Sequence, residues 1–340
     1  MSFKGDFANS TSFSGKYTDE LKSGLQKYIR RGMFDKAVLC AVELFRMAEC
    51  GGSTVKNNMI KRLYIICMED IGVASLSEVI CALNMISKGS NDIVAIISVI
   101  YLMCGCKKTR ISSHLFYAFV AEEGRAEAIR RGVQIDKEPS PNAQNYFNHS
   151  FFDDSIPMSI RPSLIMLDIR CSEKNPNAIY WLYRFLNFVE ETRMKIRQRI
   201  NPLTGRGITK PIMLAWEIIS KYLPQEVYHI LLMVWNEIEG SRDDKYVLLT
   251  AVSAILYSVP YSRYDILPIY NGWKNNLNIN LWMCGEYSEW SLDDYVVDKH
   301  TMRGKRMKKG IEQFVKEGAV ISNEDTRFRS VISDIYDQRK

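Results

Sequence analysis

The sequence predicts an all-α protein: an antiparallel helical array or bundle. An N-terminal helical domain leads into a second, mainly helical domain with an irregular, aromatic-rich segment. Two observations carry this. Apolar residues recur at helical spacing through most of the chain, as in Met59, Ile60, Leu63, Tyr64 and Cys67. Between these stripes lie short turns containing Gly, Pro, Ser or Lys, such as Gly32, Gly51-Gly52, Gly132, Pro224 and Gly240, which end helices and send the next one back alongside. With 340 residues, 46% of them hydrophobic, the chain can bury one large core or two smaller ones.

Residues 1–16, rich in Ser, Gly, Asn and Phe without periodicity, read as a mobile tail. The first helical domain covers 17–132. Its first helix is expected over 18–31, stopped by Gly32. The second is expected over 34–48, with Ala37, Val38, Ala41, Leu44, Phe45 and Ala48 facing inward, and is stopped by Gly51-Gly52. Ser53 or Thr54 can cap the third. That helix ends in Glu69-Asp70-Ile71-Gly72, with Lys61 and Arg62 outside its apolar stripe and Gly72 as a left-handed stop. Two acids in a last turn oppose the helix dipole, so Glu69 and Asp70 need partners or an exposed task.

Further helices are expected over 75–87, 92–104 and 110–131. Periodicity is lost over a linker at 133–162, where Phe147, Phe151 and Phe152 sit among Pro139, Pro141 and several asparagines. They pin the linker to a helical surface or form a partner-binding segment. The second helical domain spans 163–260, with helices over 177–199, 210–222, 225–239 and 243–258. Residues 261–340 open with Tyr261, Tyr264, Tyr270, Trp273, Trp282, Tyr287 and Trp290, where irregular, aromatic-pinned structure is expected, and close with basic helices over 306–316 and 323–338.

Several function classes are disfavoured at this level. The eight cysteines fall mostly inside apolar runs and read as reduced small hydrophobes. None has Cys-x-x-Cys spacing or a nearby histidine, so no zinc site is expected. The first residues lack the apolar core of a signal peptide. The longest apolar run, residues 93–106, is shorter than the ~20 residues that span a bilayer. The expectation is a cytoplasmic or nuclear protein that is not secreted and has no membrane partner. No segment has the glycine, lysine and hydroxyl order of a phosphate-binding loop, there is no Gly-x-Ser-x-Gly or His-Glu-x-x-His, and no cofactor is expected. The paired acids Asp153-Asp154, Asp293-Asp294 and Glu122-Glu123 have no companion cluster to hold catalytic metals.

The formal charge of +6 is concentrated in two places. One cluster is Arg193, Lys195, Arg197, Arg199, Arg206 and Lys210; the other is Lys299, Arg303, Lys305, Arg306, Lys308 and Lys309. Such clusters neutralise nucleic-acid phosphates, or they are solvated helix faces. Beside the second cluster, Asp298, His300 and Thr301 can orient a phosphate with the imidazole as donor. Alternatively, Asp298 caps the next turn and His300 packs on neighbouring aromatics.

Residues 17–125 resemble the helical C-terminal region of the MgsA/RarA and Werner-helicase-interacting AAA+ ATPases, relatives of clamp loaders. The matching elements are a first helix ending in Arg30-Arg31-Gly32, then Asp35-Lys36-Ala37 and a long apolar helix. Arg62-Leu63 leading to Glu69-Asp70-Ile71-Gly72 is the most specific piece, and an apolar helix before Lys107-Lys108 completes the match. In the family an ATPase module precedes this region, whereas here the match opens the sequence, so a collar without its motor is expected. The resemblance implies self-association and proximity to DNA, with replication proteins as further partners, and it carries over no catalytic residue. Two functions follow as expectations: a non-catalytic DNA-associated protein that forms homo-oligomers, or a scaffold that binds other proteins through its helical array.

Overall fold

The computed structural model describes residues 10–50, 52–137, 156–196, 199–200, 207–208, 210–240, 244–265, 269, 272–274, 282–283, 285, 289–329, 332 and 334–335. It is all-α, as the sequence predicts. The first array consists of α1 (Thr18–Arg30), α2 (Phe34–Glu49), α3 (Ser53–Ile66), α4 (Leu76–Gly89), α5 (Ile93–Gly105), α6 (Ile111–Phe119) and α7 (Glu122–Arg130). The second consists of α8 (Arg161–Ser172), α9 (Asn177–Thr192), α10 (Ile212–Ser220), α11 (Gln225–Ile238) and α12 (Lys245–Leu256). Extended backbone among the described residues is limited to isolated bridges and one two-residue antiparallel pair, Arg199–Ile200 with Gly207–Ile208. No described helix is long and apolar enough to cross a membrane.

α2 is the central helix of the first array. It packs against α1, α3 and α5. Ala37, Val38, Cys40, Ala41, Val42, Leu44 and Met47 are fully buried around most of its circumference. Buried side chains of both arrays form one contiguous core, joined where α12 and α9 meet α6 and where α11 meets α4. Trp181, Trp216 and Trp273 are the largest of its fully buried side chains. Residues 10–16, which the sequence assigns to the tail, close a tight turn onto the start of α1 through the Ser12 N to Lys16 O bond of 2.8 Å and the Thr18 N to Ser10 O bond of 3.0 Å.

The basic helix expected over 306–316 is instead broken at 307–310, and over 323–329 the helix expected over 323–338 is reduced to a 3-10 turn at Thr326–Phe328. Four elements of the two arrays also depart from their expected form. The helix expected over 110–131 is two, broken where Ala121 turns extended as the N-cap of α7. Gly124 permits the break, because a Cβ there would lie 2.2 Å from the Tyr117 carbonyl oxygen. α8 was not anticipated: Pro162 reads as a loop residue, but at the first turn of a helix it loses no hydrogen bond. α9 stops at Arg193, whose φ of 49° is left-handed without a glycine, so the helix does not reach 199. α3 has Gly52 at its N-cap, with no side-chain cap, and the expected caps Ser53 and Thr54 lie inside its first turn. Phe147, Phe151 and Phe152 lie outside the described residues.

After α12 the chain returns to the first array. Trp273 donates from Nε1 to Ser98 Oγ on α5 at 2.9 Å. Residues 289–329 then cross α1 through short turns: a 3-10 turn at Asp294–Val296, a single helical turn at Met302–Arg306, and Ile311–Gln313 running into a π turn at Phe314–Gly318. A parallel bridge joins Glu324 to Lys108.

Candidate functional site

The ending Glu69-Asp70-Ile71-Gly72 is not the end of an ordinary helix. After Ile66 the backbone widens into a five-residue π turn, Cys67–Ile71. Gly72, at φ 50° and ψ −132°, then makes a corner that leads straight into a 3-10 turn and α4. Its positive φ fits the expected glycine role, but the chain bends there and does not stop. The wide turn lets both consecutive acids reach one amide: Gln26 Nε2 donates to Glu69 Oε2 at 3.1 Å and to Asp70 Oδ2 at 2.9 Å.

Around that amide a buried ionic cluster is assembled. Arg30, 1% exposed, grips Asp70, 0% exposed, with Nε to Oδ1 at 2.8 Å and Nη2 to Oδ2 at 3.2 Å. Arg110 Nη2 donates to Glu69 Oε1 at 3.1 Å, and Arg62 Nη1 donates to Gln26 Oε1 at 2.9 Å. Burial pushes the Glu69 carboxyl up, but Arg110, Arg30 and Arg62 together outweigh it and hold it below the usual range. The acids therefore have the partners that the dipole argument requires. The cluster ties α1, α3 and the start of α6 together, with Arg30 and Arg110 each paired to an acid and Arg62 held on the Gln26 amide.

Arg30 also leads to the C-terminal crossing. Its Nη1 donates to the Gly318 carbonyl at 2.5 Å, and its own carbonyl accepts from Ser322 N at 3.1 Å. One turn earlier Lys27 Nζ meets Asp298 Oδ2 at 2.5 Å, with the Val296 carbonyl at 2.9 Å and Ser23 Oγ at 3.0 Å. Burial lowers the Lys27 ammonium to about 8 against the opposing pull of Asp298. Lys36 pairs with Asp293 at 2.7 Å, and Asp19 accepts from Met302 N at 2.6 Å. α1, joined by Lys36 of α2, thus carries a row of side-chain and carbonyl groups that clasp residues 293–322.

Asp298, His300 and Thr301 are brought together, and two of the three are engaged inside the clasp. The Asp298 carboxylate accepts from Lys27 and, at 2.8 Å, from His300 N. Thr301 Oγ1 donates to the Asp298 carbonyl at 3.0 Å and accepts from Gly304 N at 3.1 Å, capping the turn that follows. His300 stands edge-on to Phe314 at 5.2 Å, and burial pushes its imidazole below the ordinary value. Gly304 packs so tightly that a Cβ would lie 1.7 Å from the Asp298 carbonyl oxygen.

This turn presents the second basic cluster. Lys305, Arg306 and Lys308 are exposed and have no side-chain partner among the described residues, and Met307 between them is 59% exposed. The flanking cations are engaged. Arg303 meets Glu20 at 2.9 Å, Lys309 donates to the Val297 carbonyl at 2.8 Å, and Lys299 lies over the Phe314 ring at 5.2 Å. Of the first cluster, Arg193 and Lys195 are exposed at the end of α9, and Lys210 pairs with Glu239 at 2.5 Å. Arg197, Arg206 and the Arg199 side chain lie outside the described residues.

Sequence reasoning missed Gln26, Lys27, Arg30 and Arg110. The available signal was the unmet demand of Glu69 and Asp70, together with Lys27 and Arg30 flanking the apolar Tyr28-Ile29 pair one turn apart on a helix. Among the described residues no group of three or more His, Cys, Asp or Glu side chains is placed to hold a metal ion. No protein-family model matches the chain, and neither any curated protein nor any solved structure does.

Proposed function

We propose that this is a non-catalytic helical protein that associates with DNA, related in its first array to the collar region of the MgsA/RarA and Werner-helicase-interacting ATPases. In this reading it self-associates and touches phosphates with the Lys305–Lys308 turn. The observation that carries the reading is the contrast between the two kinds of cation. Lys27, Arg30 and Arg110 of the interior are each paired with an acid, whereas Lys305, Arg306 and Lys308 stand unmatched on a turn that Thr301, Gly304 and the Lys27–Asp298 pair hold in place. A fixed row of unpaired cations releases counterions from a nucleic acid when it binds.

The test is a titration of duplex DNA at several salt concentrations, for the wild type and for a variant with Lys305, Arg306 and Lys308 changed to Ala. Neutralising three phosphates contributes about 3 to the log–log salt slope, and the variant loses that share together with affinity. Wild-type binding that ignores salt, or that the variant retains unchanged, rejects the reading and favours a scaffold whose basic turn serves solubility. Light scattering of the same samples tests self-association, which predicts a mass above the 39.3 kDa of one chain.

A further inference from the structure

A cavity of about 480 Å³ opens between Gly32 and the start of α2, the first turn of α4, the end of α5 and the segment after α12. Phe34, Tyr101 and Tyr264 form its aromatic walls, with Phe34 and Tyr101 edge-to-face at 5.3 Å. The wall is built rather than accidental. Gly272 lies against the Tyr101 ring, where a Cβ would come within 2.6 Å, and the adjoining Trp273 is anchored on Ser98. Glu78, half-buried in the first turn of α4, supplies a carboxylate to the lining.

Glu78 has no cationic partner among the described residues, unlike Glu69, Asp70, Asp293 and Asp298. Cys104 and Cys106 also line the space, but burial pushes both thiols up to about 12, so they are neutral there. Lys108 is fully buried behind the wall, its ammonium donating to the Cys104 and Cys106 carbonyls at 3.0 and 2.9 Å. The cavity therefore combines aromatic rings with one unneutralised carboxylate. Ring faces attract cations through their quadrupole, and a carboxylate adds a full charge to that attraction.

We propose that this cavity binds an alkylammonium group, free or on a side chain, held between the Phe34, Tyr101 and Tyr264 rings against Glu78. The inference is independent of DNA binding. It is tested by calorimetric titration of the full chain with choline and with dimethylbutanol, the uncharged isostere in which carbon replaces nitrogen. Choline is expected to bind saturably and the isostere about tenfold more weakly or less. Glu78→Gln and Tyr101→Leu are each expected to weaken choline binding about tenfold, on chains whose melting temperature matches the wild type. A peptide bearing trimethyl-lysine, compared with choline, separates a protein-borne ammonium from a free one.

Equal affinity for the isostere shows a merely apolar hollow and overturns the proposal. So does the absence of saturable choline binding, or unchanged binding in Glu78→Gln. The isostere comparison uses the wild-type chain alone, so a variant that fails to fold leaves the test intact.

Discussion

At the scale of single residues, the buried charges set both stability and its pH dependence. Arg30 and Asp70 are desolvated together, and removing one partner leaves the other charged in the core. Asp70→Asn is expected to cost about 3–5 kcal/mol, the usual penalty for orphaning one member of a buried pair, and the midpoint and slope of urea unfolding measure it. The double change Arg30→Met with Asp70→Leu should recover much of that loss, because it removes the desolvation problem as well as the attraction. His114, 7% exposed on α6, behaves differently. Burial, and then the nearby Arg110, lower its imidazole from 6.5 to about 3. The folded chain therefore binds this proton less readily than the unfolded chain. Its contribution is complete above 6.5 and is lost as pH falls toward 3, at up to about 1.4 kcal/mol per pH unit. Urea unfolding across that interval should show a shallower acid loss in His114→Gln than in the wild type, and equal slopes would contradict the burial argument.

At the scale of elements, the clasp across α1 is the feature with the most consequence. Gly304→Ala places a methyl group where the Asp298 carbonyl already sits, so the Met302–Arg306 turn must move away from its Thr301 cap. A loss of about 1–3 kcal/mol is expected, as for other overpacked sites. Hydrogen exchange locates it: the amides of Ser322 and Asp325, bonded to the Arg30 and Lys108 carbonyls, should exchange faster while those of α2 stay protected. Uniform acceleration would instead mean that the crossing and the core unfold as one unit. The elements were unequally legible in the sequence. α1, α2 and α5 could be placed because their stripes are long and end at turns rich in glycine or lysine. The break between α6 and α7 could not, because it depends on contact between Gly124 and the Tyr117 carbonyl, which apolar spacing does not reveal. The acids of the π turn announced that they need partners, but not which ones. Arg30 and Gln26 lie about 40 residues earlier, and the sequence states no distance in space. The same holds for Lys27 and Asp298, which only the folded chain brings to 2.5 Å.

At the scale of the whole molecule, the net charge of +6 belongs to the surface rather than the interior, since the buried acids and bases described above largely cancel. Under the proposed DNA-binding reading, this separates stability from nucleic-acid affinity in a way that can be measured. Salt dependence reports how many phosphates meet exposed cations, so a change inside the ionic cluster should leave it alone even when it weakens the fold. Below its unfolding transition, Asp70→Asn should bind DNA with the wild-type salt slope. Changing Arg193 and Lys195, exposed at the end of α9, should lower the slope by about 2 if that surface also meets phosphate, and by nothing if the Lys305–Lys308 turn acts alone. Gly304→Ala falls between these cases, because it keeps every charge but loosens the turn that aligns three of them. Its slope should stay near the wild-type value while its affinity drops, since a mobile turn must be ordered before it can bind. A slope that changed with Asp70 and not with Lys305, Arg306 and Lys308 would place the contact surface elsewhere on the molecule.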